Sequence, residues 1–294
     1  MKAKKQIPAY VYVVLLFSVL LWASAFSAIR SSVRYFSAGE LALLRFLSAS
    51  AILFFFLSLK KSKLPERKDW GTFFLAGFIG ISIYHFCLNL GEKTVMAGTA
   101  SFLISTIPVF TAILGIIFLN EPLSSRSWAG LIISLAGIAL ISFSEAGFGK
   151  LNPGTLLILL ASISGSIYVI FQKKLLEKYS ALEVTAYTMI TGSVFLLFYF
   201  PGMIHSVQSA PYFAIVEGIY LGVFPAAVAY LLWTYALLKM NSAAEVSAFL
   251  YITPVFALII AFFWLHEVPS LASILGGILA LLGVILTNAK SKIN

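Results

Sequence analysis

Charge is scarce in this chain. Asp, Glu, Lys and Arg make up 11% of its 294 residues, against roughly 25% in soluble domains. So few charges cannot cover a soluble surface, so the surface must face something apolar. Chemistry-bearing residues are also few: three histidines, one aspartate (Asp69) and one cysteine (Cys87). A single cysteine excludes an intrachain disulfide and says nothing about compartment. The scarcity argues against a metal site, which needs clustered His, Cys or carboxylate ligands, and against a membrane-embedded enzyme. The phosphate loop G-x-x-x-x-G-K-[ST] is absent, which removes the usual motif for ATP-driven pumping. No cofactor is expected. The net charge of +9 does not point to nucleic acid. Its Lys and Arg sit in short gaps between apolar runs, not in a stripe on a polar domain.

What is present is apolar length. Hydrophobic residues make up 61% of the chain. A spanning helix needs about 20 mostly apolar residues. Ten runs qualify: 9–29, 39–59, 71–90, 96–119, 128–144, 153–173, 182–202, 213–237, 243–265 and 270–288. Backbone groups in lipid must be satisfied within the segment, so these runs are expected to be helices. A β-barrel would alternate apolar and polar residues, and runs such as 156–160 and 279–282 do not. The fold class expected is an all-α integral membrane protein with ten transmembrane helices. The lipid bilayer is its first partner.

Loop charge sets the expected orientation. With the N-terminus cytoplasmic, cytoplasmic segments carry 15 Lys and Arg and the opposite side carries 4: Arg30, Arg34, Lys93 and Lys150. Both termini are therefore expected in the cytoplasm, in a multi-pass protein of the cytoplasmic membrane. The basic start at Lys2, Lys4 and Lys5, with Ala23-Ser24-Ala25, mimics a signal peptide. Apolar character continues to Ile29, and the segment has a counterpart later in the chain, so it is read as a retained span.

The two halves resemble each other. Residues 107–124 and 253–270 share seven of 18 positions at an offset of 146, including Pro108/Pro254, Phe110/Phe256 and Glu121/Glu267. The same offset pairs Tyr84 with Tyr230, Gly130 with Gly276 and Gly137 with Gly283. Ser37 to Glu40 is answered by Ser180 to Glu183 at an offset of 143. Each half holds five runs, an odd number, so the second should enter the membrane upside down. The expected organisation is two inverted five-helix repeats, 9–144 and 153–288, around a central cavity, an arrangement typical of secondary transporters.

Two five-span halves, Leu44-Arg45-Phe46 in the second run, and Pro108 followed by Glu121-Pro122 at the end of the same run resemble the drug/metabolite transporter superfamily, EamA type. The resemblance covers about residues 10–288. It implies a ten-helix bundle around a cavity, usually an exporter of metabolites or amino acids from bacteria. The second half departs from the first, with Thr188-Met189 where an Arg-Phe pair might recur and His266-Glu267-Val268 where the first half has Asn-Glu-Pro.

Ionisable residues inside spans are functional candidates by default. Arg45 can draw in a substrate carboxylate or tie helix ends together; its place near a helix end favours the second role. Glu121 and Glu267, at equivalent span ends, read as helix-end anchors or gates. His85, the histidine well inside a span, is a candidate carrier of a coupling proton, although a buried histidine more often serves structure. Pro108 and Pro254 fall mid-span, where a kink would either free carbonyls toward the cavity or shape packing. The paired glycines allow close helix contact. Trp22, Tyr84, His85, Asn89, Ser105, Tyr168, Tyr230, Trp233 and Tyr251 form the expected substrate-binding set, aromatic with a few polar groups as ligand sites are. The expected function is secondary transport, in the export direction, of a small neutral or zwitterionic metabolite such as an amino acid. The alternatives are a membrane-embedded enzyme or a passive channel.

Overall fold

The computed structural model describes residues 8–119, 125–146, 152–239 and 248–288. In chain order the helices are α1 (Ala9–Ser32), α2 (Ala38–Leu59), α3 (Arg67–Gly91), α4 (Ala97–Ile104), α5 (Ile107–Leu119), α6 (Ser125–Ala146), α7 (Pro153–Leu176), α8 (Ala181–Ser209), α9 (Tyr212–Ala236), α10 (Thr253–Leu265) and α11 (Leu271–Asn288). Of these, α1, α2, α3, α7, α8 and α9 are long and apolar enough to cross a membrane, and the others are shorter apolar helices. The chain is a multi-pass helical membrane protein. Phe54, Phe55, Phe198, Phe263 and Leu271 stand exposed on its outside, as lipid-facing side chains must.

The Ser-x-x-Glu echo between the halves is a pair of helix starts. Ser37 Oγ accepts from the Glu40 amide while Glu40 Oε2 accepts from the Ser37 amide at 2.8 Å, opening α2. Ser180 and Glu183 do the same at α8, at 2.9 Å. Each such box satisfies two orphan amides, and losing the cap costs about 1 kcal/mol.

The run 96–119 is not one continuous helix. It breaks at Ser105 and Thr106, between α4 and α5. Ser105 Oγ donates to the Ser101 carbonyl at 2.9 Å and Thr106 Oγ1 to the Leu103 carbonyl at 2.5 Å, so side chains compete for backbone acceptors just where Pro108 withdraws a donor. The second half breaks at the equivalent place: a 3₁₀ turn, Ala248–Ile252, precedes α10. Pro108 and Pro254 are each the second residue of the helix that follows. They do not kink a helix at mid-length, because a proline in a first turn removes a donor that has no partner anyway.

α3 and α9 share a further irregularity. Each widens into a π-helical turn, at Phe78–Ile83 and Gly222–Val228, immediately or one residue before the paired Tyr84 and Tyr230. In the second, Pro225 supplies no amide; the first contains no proline.

α6 and α11 pack closely along glycines. A side chain on Gly137 would meet the backbone of Gly276 and Ala280, and one on Gly283 the backbone of Gly130 and Ser134. Ser134 Oγ donates across the seam to the Ala280 carbonyl at 2.8 Å. Between helices in lipid, such close approach replaces the hydrophobic effect as the source of attraction.

Polar ties mark the two ends of the bundle. At one end Lys178 Nζ lies 2.6 Å from Asp69 Oδ2 and 2.7 Å from Glu66 Oε2, and Tyr179 donates to Asp69 at 2.6 Å. At the other, Arg30 at the end of α1 pairs with Glu267 at 2.9 Å. Glu267 follows α10 through His266, whose φ of 55° is left-handed. That turn folds the chain back so that the Glu267 carboxylate also accepts from the Ala97 amide at 3.0 Å, at the start of α4.

Candidate functional site

Near the middle of the bundle α1, α2, α3, α4, α5, α7, α9 and α10 surround a cavity of about 140 Å³. Both breaks and the first π turn border it, and the second π turn stands just before its wall. Ser105 and Ile107 flank the α4–α5 break, Leu250 lies in the 3₁₀ turn, Thr253 begins α10, and Tyr84 and Tyr230 follow the two π turns. Residues separated by 146 positions thus meet in one wall.

The cavity has a cationic side. Arg45 and His85 are each 2% exposed. Arg45 Nη1 lies 3.2 Å from His85 Nδ1, and its guanidinium stands 5.3 Å over the Phe46 ring. A guanidinium only donates, so Nδ1 accepts and the imidazole hydrogen belongs on Nε2. That nitrogen, Arg45 Nε, Gln172 Nε2 and Thr253 Oγ1 are buried with no hydrogen-bond partner among the described residues. Buried polar groups are nearly always paired. Four orphans around one cavity, three of them N–H donors, fit an acceptor-bearing ligand.

The other side is aromatic. Trp22 meets Trp233 at 5.0 Å and Tyr230 at 5.3 Å between ring centroids, and Tyr168 meets Tyr230 at 6.4 Å. These rings are fixed from behind. Trp22 Nε1 donates to the Pro225 carbonyl at 3.0 Å, within the π turn of α9. The Tyr168 hydroxyl lies 3.3 Å from Thr188 Oγ1, the residue that occupies in the second half the place Arg45 holds in the first.

Seven of the nine residues expected from the sequence line this cavity: Trp22, Tyr84, His85, Ser105, Tyr168, Tyr230 and Trp233. Asn89 and Tyr251 do not. Asn89 is fully buried and its amide donates to the Ala38 carbonyl at 3.0 Å, tying α3 to the start of α2. Tyr251 packs instead against Val109, Leu131 and Val284, because the 3₁₀ turn points it away from Leu250. Arg45, expected at a helix end, lies in the cavity wall. Glu267 makes the Arg30 and Ala97 contacts above, and Pro108 and Pro254 start α5 and α10. Glu121 lies outside the described residues. Sequence reasoning missed Gln172 and Thr253, both ordinary residues by type. The signal for Gln172 is its lone amide in the apolar run 153–173.

A protein-family model described as the EamA-like transporter family matches residues 9–143 and 152–289. The chain is 39% identical to a Bacillus subtilis protein described as the uncharacterized transporter YdfC, over 93% of this chain and 90% of the relative. It is 36% identical to a probable terminal-alkyne amino-acid exporter of Streptantibioticus cattleyicolor, over 94% and 93%. An uncharacterized transporter of Archaeoglobus fulgidus is 35% identical over 93% and 96%. A solved crystal structure with 17% identity superposes with a TM-score of 0.64, covering 94% of this chain and 95% of that one; at that identity the likeness is one of fold.

Proposed function

The chain belongs to the EamA-like transporter family and is a transporter rather than an enzyme, and from there we propose that it exports a small zwitterionic or neutral metabolite, an amino acid first of all, across the cytoplasmic membrane. The proposed architecture is ten spans in two inverted five-helix repeats, 9–144 and 153–288, with both termini cytoplasmic.

The observation that carries the substrate class is the two-sided cavity. Arg45 Nε, His85 Nε2 and Gln172 Nε2 offer donors without partners, which suits a carboxylate, and charge-assisted hydrogen bonds are the strong ones. Trp22, Tyr168, Tyr230 and Trp233 offer ring faces, which attract an ammonium or an apolar side chain at about 0.5–2 kcal/mol. A polyanion would need several cations in the wall, and Arg45 is the one Lys or Arg among the lining residues. The name of the Streptantibioticus relative agrees with an amino-acid cargo. With no phosphate loop to power it, the transport is secondary, and a proton is the proposed coupling ion.

The test is counterflow. Proteoliposomes loaded with an unlabelled mixture of the proteinogenic amino acids should exchange it for a labelled mixture outside, saturably and faster than protein-free vesicles. Exchange no faster than in protein-free vesicles would remove the amino-acid assignment.

A further inference from the structure

The face of α3 that lines the cavity does not stop at the cavity. Tyr84, His85 and Leu88 form one stripe, and the next residue in that stripe, one turn on, is Glu92. It is 0% exposed, and neither carboxyl oxygen has a hydrogen-bond partner among the described residues. Glu92 lies one turn beyond the cavity wall at Leu88. Ile29, which lines the cavity, precedes Arg30, and the Arg30 guanidinium donates from Nη1 to the Glu92 main-chain carbonyl while its Nε holds Glu267.

The electrostatic surroundings are sparse. Arg30 from α1, Arg45 from α2 and Glu267 after α10 are the charged groups facing the Glu92 carboxyl. α7, packed on this end of α3 at Gly91, has no ionisable residue in its first two turns, and α4 has none at all. Arg30 already serves Glu267. An ionised carboxylate with both oxygens unbonded in a dry site is among the costliest things a protein can bury. The same group carrying its proton is a neutral acid, and the absence of partners is then tolerable.

We propose that Glu92 is the site that carries the coupling proton, exchanging it as the Arg30–Glu267 pair makes and breaks. This rests on the secondary-transport reading above and moves the proton from His85 to Glu92. With the pair closed, as here, Glu92 holds the proton on a carboxyl oxygen. When the pair parts, water reaches Glu92. The O–H bond can then break, the proton passes to that water, and the carboxylate takes Arg30 from Glu267. Protonation from the medium on that side reverses the step and releases Arg30, so the pair closes over a protonated Glu92. The proton then leaves to water on the opposite side by way of the cavity, whose wall reaches Leu88 one turn from Glu92. Arg30 thus has two alternative carboxylate partners, and which one it holds reports whether the proton is bound. His85 fits the role poorly, because its Nδ1 is occupied as the acceptor of Arg45 Nη1.

The experiment compares wild type, Glu92→Gln and His85→Gln in proteoliposomes, using the amino-acid mixture as probe. Two rates are measured, counterflow without a pH gradient and accumulation driven by one, with a pH dye recording proton movement. Glutamine reproduces the neutral acid. E92Q should therefore elute as a single species with wild-type thermal stability, retain counterflow, and lose gradient-driven accumulation and the dye signal. H85Q loses a donor from the substrate cavity, so its counterflow and its driven accumulation should fall together, leaving their ratio at the wild-type value. Failure of E92Q to fold overturns the proposal, since it requires the neutral group to be tolerated. So does gradient-driven accumulation by E92Q, a fall of that ratio in H85Q, or wild-type counterflow with no accompanying proton coupling. If wild type shows no counterflow, the amino-acid assignment fails by itself. Glu92 is then judged by titrating the purified protein, where wild type must release its extra proton relative to E92Q between neutrality and alkali; an extra proton released in the acid range instead overturns the proposal.

Discussion

The ring of Tyr168 fills the space that a side chain on residue 80 would need, and Tyr84, beside Ile107, closes less tightly on Gly165. α3 and α7 thus exchange a tyrosine for a glycine in both directions, and both tyrosines end in the cavity wall. Gly80→Ala would press a methyl into the base of the Tyr168 ring. Overpacking of this kind costs about 1–3 kcal/mol, more than the roughly 1 kcal/mol that alanine gains over glycine in a helix. The variant should melt at a lower temperature than wild type, and weaker substrate binding should accompany the shift. A rise in melting temperature would show that the ring yields freely.

Arg45 is expected to matter through its donors. Arg45→Gln keeps a hydrogen-bonding side chain and removes the charge. Hydrogen bonds to charged groups contribute about 1.5–3 kcal/mol, so affinity for a carboxylate-bearing substrate should fall by about 10- to 100-fold. Affinity for the corresponding amide should fall far less. Equal losses for acid and amide, measured by calorimetry, would return Arg45 to the helix-tying role.

Accessibility separates lining residues from packed ones. In a background lacking Cys87, cysteines placed at Trp22, Tyr84, Ser105, Tyr168 and Trp233 should react with a water-soluble thiol reagent and be protected by substrate. A cysteine at Tyr251 should show no such protection, because that residue packs against Val109, Leu131 and Val284. Protection at 251 with none at the five others would place the substrate elsewhere.

The tie at the Lys178 end should depend on pH in one direction. Lys178 holds the Asp69 and Glu66 carboxyls below their ordinary values of 3.8 and 4.5, chiefly by hydrogen bonding, and they in turn raise Lys178. Depressed carboxyl values mean that the tie's stabilisation is complete at neutral pH and is lost as pH falls through the lowered range. The melting-temperature gap between wild type and Lys178→Ala should therefore be widest near neutrality and close on acidification below about pH 4. All of these groups are on the surface, so the gap will be small and will shrink with salt. A gap that widens in acid would contradict the assignment.

Orientation has its own test. A cytoplasmic reporter fused after Asn294 should be active and a periplasmic one silent. The reverse pattern would invert the membrane orientation and place the Arg30–Glu267 pair on the cytoplasmic side.

Much of this architecture is legible in the sequence because lipid imposes so few solutions. A run of apolar residues has to become a helix, and the Ser-x-x-Glu pairs could be seen as a repeat before they were seen as caps. Aromatic residues with polar handles in mid-run pointed to the cavity because apolar length alone does not need them. What failed was local direction. Asn89 and Tyr251 are right by type and depth but face the wrong way, and a helix that breaks or widens loses the simple 3.6-residue phase from which facing is inferred. Gln172 escaped notice because one amide in an apolar run looks like noise until its neighbours are placed. Glu92 falls in the gap between the runs 71–90 and 96–119 and drew no attention, since its burial is set by Arg30, Glu267 and the end of α7, all distant in sequence.

The widened turns at Phe78–Ile83 and Gly222–Val228 each carry one residue more than a regular helix would use over the same rise. They are slack in the helix. Removing one residue inside either would let the helix close regularly over the same rise, and the positions beyond it would keep their facing. A residue removed from the regular turns between Tyr84 and Glu92 has no slack to take it up, and every later position would swing by about 100°, carrying Glu92 away from the interior. Single-residue deletions inside the two widened turns should therefore be tolerated better than deletions in the regular turns beside them, and lineages of this protein should differ in length at these two segments before anywhere else in α3 and α9.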